Sequence, residues 1–127
     1  MKAILDTHTF LWAITKDRRL SRRAAEIFEG PSDLWFSVAS VWEILIKAQA
    51  GKLNLPNPTG RYILKKLADN KIETLPINLD HVLKIETLPM HHRDPFDRII
   101  IAQSLEEGWP IVTADRVFKK YRTQAIW

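Results

Sequence analysis

Short apolar runs alternate with amphipathic segments along the whole chain, and this alternation restricts the fold more than any other feature. Lys2–Leu5 is a β-prone run, and Leu34–Phe36, Glu73–Ile77 and Ile111–Thr113 repeat the pattern. Between them apolar residues recur at helical spacing: Phe10, Leu11 and Ile14; Val41, Ile44, Leu45 and Ala48; Tyr62, Ile63, Leu64 and Leu67. Arg22–Phe28 and Phe96–Glu107 read as two further helices, and Ala125–Trp127 as a last edge strand. The boundaries carry their own signals. Thr7 is placed to cap the first helix and Ser21 the second, which Gly30 and Pro31 stop. Ser37 or Ser40 opens the third, closed by Gly51, and Asn78 or Asp80 caps a short helix ending near Glu86. Leu88–Asp94 is an irregular loop; Pro95 then suits a first helical turn, and Gly108 with Pro110 ends that helix. Strands alternating with helices imply an α/β fold, a parallel sheet covered on both faces. In such folds ligands bind beyond the carboxyl ends of the strands.

The 127 residues fit a single domain spanning 1–127, since no repeat and no Gly-, Ser- or Pro-rich linker divides them. That length buries a sizeable core without staples. The absence of cysteine excludes a disulfide framework, a cysteine nucleophile and thiolate zinc sites. No stretch approaches the roughly 20 apolar residues of a membrane span, so a soluble, cytoplasmic protein without a membrane partner is expected. Lys and Arg number 19 against 15 Asp and Glu, for a net charge of +4. A basic excess suits a polyanionic partner, although many basic domains bind nothing anionic.

Four carboxylates fall where that architecture gathers ligands. Asp6 ends the first strand and Asp115 lies just past the fourth; Glu43 and Asp97 sit in the early turns of two helices. Far apart in sequence, they meet only through tertiary structure. Converging carboxylates repel unless a cation or protons neutralise them. Oxygen-only ligands favour a hard cation such as Mg²⁺ or Mn²⁺, which promotes phosphodiester hydrolysis by activated water. The plainer reading is that these acids cap helices or complement helix dipoles, and spacing alone leaves both readings open.

The same residues carry a family resemblance. Leu5-Asp6-Thr7-His8, Ser37-Val38-Ala39-Ser40-Val41-Trp42-Glu43-Ile44, Arg93-Asp94-Pro95-Phe96-Asp97-Arg98 and Val112-Thr113-Ala114-Asp115 occur in order. Together they resemble PIN-domain proteins of the VapC type, the toxin half of type II toxin–antitoxin pairs, essentially end to end. The resemblance implies a three-layer α/β/α PIN-like fold with a central, mostly parallel sheet. It also implies a Mg²⁺- or Mn²⁺-dependent endoribonuclease, a homodimer, and a cognate antitoxin whose tail covers the active site. Asp6, Glu43 and Asp97 match the family's three firmest acids, and Asp115 the more variable fourth. Asp94 either reaches the same centre or caps the helix at Pro95. Thr113 matches a small hydroxyl residue beside the fourth acid.

Other residues have simpler roles open to them. His91 and His92 either contact phosphate or belong to a solvated loop, with the loop favoured; His8 either lines the site or is polar filler. An aspartyl-phosphatase reading of Asp6-Thr7-His8-Thr9 lacks the second carboxylate that chemistry needs. Arg18, Arg19, Arg22 and Arg23 either track an RNA backbone or form a solvated face, and Lys47, Lys52, Lys65, Lys66, Lys119, Lys120 and Arg122 extend the basic set. Trp12, Trp35 and Trp42 are expected in the core or a dimer interface, whereas Trp109 and Trp127 sit where a partner contact is conceivable. The competing reading from another class is a non-catalytic PIN-like module that binds RNA or protein; a DNA-directed nuclease would share the whole site.

Overall fold

Ala3, Ile4 and Leu5 are all fully buried, as a strand covered on both faces requires. In the computed structural model, which describes all residues from Met1 to Trp127, they form β1 (Lys2–Leu5), the centre of a five-stranded sheet. The other strands are β2 (Asp33–Ser37), β3 (Glu73–Leu75), β4 (Ile111–Val112) and β5 (Ala125–Ile126). Their order is β3-β2-β1-β4-β5, and every neighbouring pair is parallel. The helices are α1 (Thr7–Thr15), α2 (Arg22–Glu29), α3 (Val38–Gln49), α4 (Thr59–Asp69), α5 (Leu79–Lys84) and α6 (Pro95–Glu107). Two 3-10 turns cover Ile85–Thr87 and Arg116–Lys120.

Strand alternation divides the core in two. Ala3, Leu5, Leu34, Phe36 and Val112 point to one face and pack with Phe10, Ala24, Ile44, Ile63 and Leu67 from α1 to α4. Ile4 and Ile111 point to the other and pack with Ile99, Ile100, Ile101, Ala102 and Phe118. Helix, sheet and helix therefore form three layers. Burial of each large apolar side chain contributes about 1.5–3 kcal/mol, and Phe10 adds a stacked contact to Phe36, ring centroids 4.3 Å apart.

Most expected boundaries hold, and the differences have local causes. The third strand stops at Leu75, because Pro76 has no N–H to extend a ladder. Ser37 rather than Ser40 caps α3, accepting from the Ala39 N–H at 3.1 Å, and Asn78 caps α5. Gly108 takes the left-handed conformation, φ 73°, that ends α6. Thr7 does not cap α1. Asp6 occupies that position, and Thr7 lies inside the helix with its hydroxyl turned toward α3. The core placement of the tryptophans holds only in part: Trp35 packs against the core without being enclosed by it. Trp12 and Trp35 are half-buried, and Trp42 is 59% exposed with its edge against Phe96. Trp109 and Trp127 pack within the chain, against Trp35 and Trp12. No helix is long and apolar enough to cross a membrane.

Candidate active site

The sheet register brings the first two acids' supports together. Beyond the end of β1 the Asp6 N–H donates to the Val112 carbonyl at 3.1 Å, which sets Asp6 beside Thr113. The Thr113 hydroxyl donates to Asp6 Oδ2 at 3.0 Å and accepts from the Asp115 N–H at 3.0 Å. One hydroxyl thus ties both strand-end aspartates. Asp6 is only 5% exposed. Burial raises its pKa to about 6, against the pull of the Thr113 hydrogen bond and of His8; Glu43 raises it further.

Glu43 is buried on α3, where two donors hold it. The Thr7 hydroxyl donates to Oε1 at 2.8 Å, and the Lys47 ammonium to Oε2 at 2.7 Å from one helical turn away. Ser40 Oγ lies 2.9 Å from the same Thr7 hydroxyl. Thr7 therefore aims a carboxylate across the α1–α3 contact. The bond to Glu43 raises the Lys47 pKa. Lys47 acts as a counter-ion here, although the sequence suggested only a surface charge.

On α6, Asp94 is the N-cap: its Oδ1 accepts from the N–H groups of Phe96 and Asp97, at 2.8 and 3.2 Å. Asp97, one turn in, has its pKa pushed up to about 8, first by burial and then by the charges of Asp6, Asp94, Glu43 and Asp115. Asp97 is thus the electrostatic focus of the cluster. Asp115 caps the turn after β4, its Oδ1 accepting from the Val117 N–H at 2.9 Å. Its Oδ2 lies 3.6 Å from His92 Nε2, and the same nitrogen is 2.8 Å from Asp97 Oδ2. The structure brings Asp6, Glu43, Asp97 and Asp115 to one end of the sheet, with His92 among them.

That arrangement, at the carboxyl ends of parallel strands, is matched at the family level. The model of the PIN domain fits residues 3–123. This chain belongs to the PIN-domain family. It is 30% identical over 120 residues to Ribonuclease VapC22 from Mycobacterium tuberculosis, covering 94% of this chain and 91% of that one. Similar folds occur in VapBC2 from Rickettsia felis bound to a DNA fragment from their promoter (TM-score 0.75, 14% identity, covering 100% of this chain and 98% of that chain). DNA-bound VapBC from Salmonella typhimurium is also similar (TM-score 0.72, 17% identity, 100% and 97%).

The acids of this PIN domain suit a divalent cation on their own chemistry. His92 Nε2 and carboxylate oxygens of Asp97 and Asp115 all lie within 4.8 Å of one another. Four crowded carboxylates face one fixed ammonium, Lys47; burial is the main cause that raises Asp97 and Asp6, and the neighbouring negative charges add to it. A hard cation with oxygen ligands relieves that excess.

The residues outside this PIN centre sort less evenly. His8 is exposed beside Trp12, and His91 is exposed with its ring 5.3 Å from Tyr121. Arg19 is bound to Asp17 and lies over the Trp12 ring, and Arg22 pairs with Glu26, while Arg18 and Arg23 face solvent. The favoured solvated-loop reading fits His91 and Arg93, which are exposed, but not the half-buried His92 ring, which reaches Asp97. Placement of that ring depends on Arg98 and Tyr121, which hold the His92 backbone and whose contacts no local pattern announces. The available signal was only its position two residues before the α6 cap.

Proposed function

We propose that this protein is a metal-dependent endoribonuclease and the toxin of a type II toxin–antitoxin pair, acting in the cytoplasm where its RNA substrate lies. The observation that carries this reading is the convergence of Asp6, Glu43, Asp97 and Asp115 at the carboxyl end of the parallel sheet, with Asp97 at its focus, raised to about 8 by burial and by the neighbouring carboxylates. Such a focus stores unfavourable charge that a Mg²⁺ or Mn²⁺ ion removes. Asp6, Asp97 and Asp115 are the proposed direct ligands, with Glu43 completing the set. A bound divalent ion supplies an acidified water and charge stabilisation at a phosphodiester.

The chain's own groups do the positioning. Thr113 fixes Asp6 through Oδ2, which leaves Oδ1 free of side-chain donors. Thr7 and Lys47 hold Glu43 at both oxygens, which fixes its carboxylate in a buried place. Asp94 shapes the first turn of α6 and so presents Asp97. No protein nucleophile is required. Similarity to a named VapC ribonuclease supports RNA as the substrate, and similarity in fold to VapBC proteins supports an antitoxin partner.

The direct test is co-expression with the product of any short reading frame found beside this one, followed by incubation of the separated proteins with RNA. Cleavage by the isolated chain that the partner suppresses supports both halves of the proposal. A folded chain that binds neither divalent ion nor RNA would contradict it and favour a non-catalytic module.

A further inference from the structure

His92 is held at both ends of its ring and along its backbone. Its N–H donates to the Tyr121 hydroxyl at 2.9 Å, and its carbonyl accepts from Arg98 at 3.4 Å. Arg98 is 8% exposed and has no carboxylate partner; its guanidinium also donates to the carbonyls of Pro89 at 3.0 Å and Ile85 at 3.4 Å. A buried arginine spent on the carbonyls of one loop fixes that loop's path. The loop delivers His92 to the acids.

The ring orientation then sets its proton. Nδ1 accepts from the Asp94 backbone N–H at 3.2 Å. A ring nitrogen that accepts carries no hydrogen, so in the neutral ring the proton is on Nε2. Nε2 is the atom 2.8 Å from Asp97 Oδ2 and 3.6 Å from Asp115 Oδ2. Ligation of a metal through Nε2 would require its lone pair and would move the proton to Nδ1, against the Asp94 N–H. The two demands conflict. Nε2–H is therefore a donor to the acids.

The geometry points to His92 as a positioning residue: its Nε2–H, locked by Asp94, Arg98 and Tyr121, holds Asp97 in the orientation that binds the divalent ion, without itself ligating it. This inference rests on the metal-nuclease reading above and deepens it. A donor to a ligating carboxylate fixes the ligand's rotamer, and loss of such a partner typically costs about 10–100-fold in metal affinity.

The test compares wild type with His92→Leu, which removes the donor, and His92→Gln, whose amide N–H reaches a similar point. Mn²⁺ affinity is measured by calorimetry, and the bound ion is examined by pulsed electron paramagnetic resonance for coupling to nitrogen. The expected results are a Mn²⁺ Kd raised about 10–100-fold in His92→Leu, return to within about threefold in His92→Gln, and no directly bonded nitrogen in wild type. Circular dichroism establishes that each variant is folded. Unchanged affinity in His92→Leu, failure of His92→Gln to restore it, or an imidazole nitrogen bonded to Mn²⁺ would overturn the inference. Because the readout is binding, RNA cleavage is scored separately. Cleavage with unaltered His92→Leu affinity would sink this inference alone, and His92-dependent binding without cleavage would sink only the nuclease reading.

Discussion

The Thr113 hydroxyl links Asp6 and Asp115 across neighbouring strands, donating to the first and accepting from the backbone of the second, each at 3.0 Å. Thr113→Val keeps the shape and removes both bonds, leaving a buried carboxylate and a backbone N–H short of a partner. The expected cost is about 1–3 kcal/mol of stability, with weaker Mg²⁺ binding. Thr113→Ser should retain most of both. Denaturant melts and calorimetry on the two variants check this; equal behaviour of Val and Ser would contradict it.

Stability of the metal-free protein should fall as pH rises. Asp6, at about 6, and Asp97, at about 8, lie above the ordinary 3.8. The folded chain therefore holds these protons more tightly than the unfolded chain does. Their contribution is full below about pH 4 and is lost as pH climbs through about 6 and then about 8. Thermal midpoints in EDTA should decline across that window, and saturating Mg²⁺ should flatten the decline. A metal-free midpoint that rises there in step with these groups would contradict the assignment.

Asp97→Asn removes the charge at the point of greatest repulsion. The variant should be more stable than wild type in EDTA at about pH 8, by about 0.5–2 kcal/mol, and should lose activity and the stabilisation by Mg²⁺. The comparison is made by chemical denaturation with and without the ion. A variant that Mg²⁺ stabilises as strongly as wild type would remove Asp97 from the ligand set.

Lys47 competes with a cation for Glu43, since its ammonium already sits 2.7 Å from Oε2. Lys47→Met should destabilise the metal-free protein by about 1–3 kcal/mol, the cost of leaving a buried carboxylate less satisfied. It should also tighten Mg²⁺ binding several-fold. Calorimetric titration distinguishes this from a purely structural lysine, whose loss would leave affinity unchanged.

Element type and order were legible because β1 and the long helices carry strong periodic patterns. Ile4, buried on one face of the sheet between Ala3 and Leu5 on the other, shows why a covered strand reads as a continuous apolar run. The four acids were also legible, since strand ends and helix starts fixed their place before any contact was known. What supports them was not. Thr7 looked like a cap because local sequence favours a hydroxyl at a helix start, yet its partner is Glu43 on another helix. Trp42 looked like core because it lies in an apolar pattern, but it sits on the outward side of α3 in line with exposed Val38 and Ile46. His92 depends on Arg98 and Tyr121, from a helix and a distant turn, so no window of sequence contains the interaction that places it.

The carboxylate centre is tested most directly by incubating purified protein with labelled structured RNA, tRNA included, in Mg²⁺, in Mn²⁺ and in EDTA, alongside Asp6→Asn. Cleavage in either ion that disappears both in EDTA and in a folded Asp6→Asn variant is the expected result. Full cleavage in EDTA, or by Asp6→Asn in the presence of the ion, would contradict a carboxylate-held metal as the source of the activity.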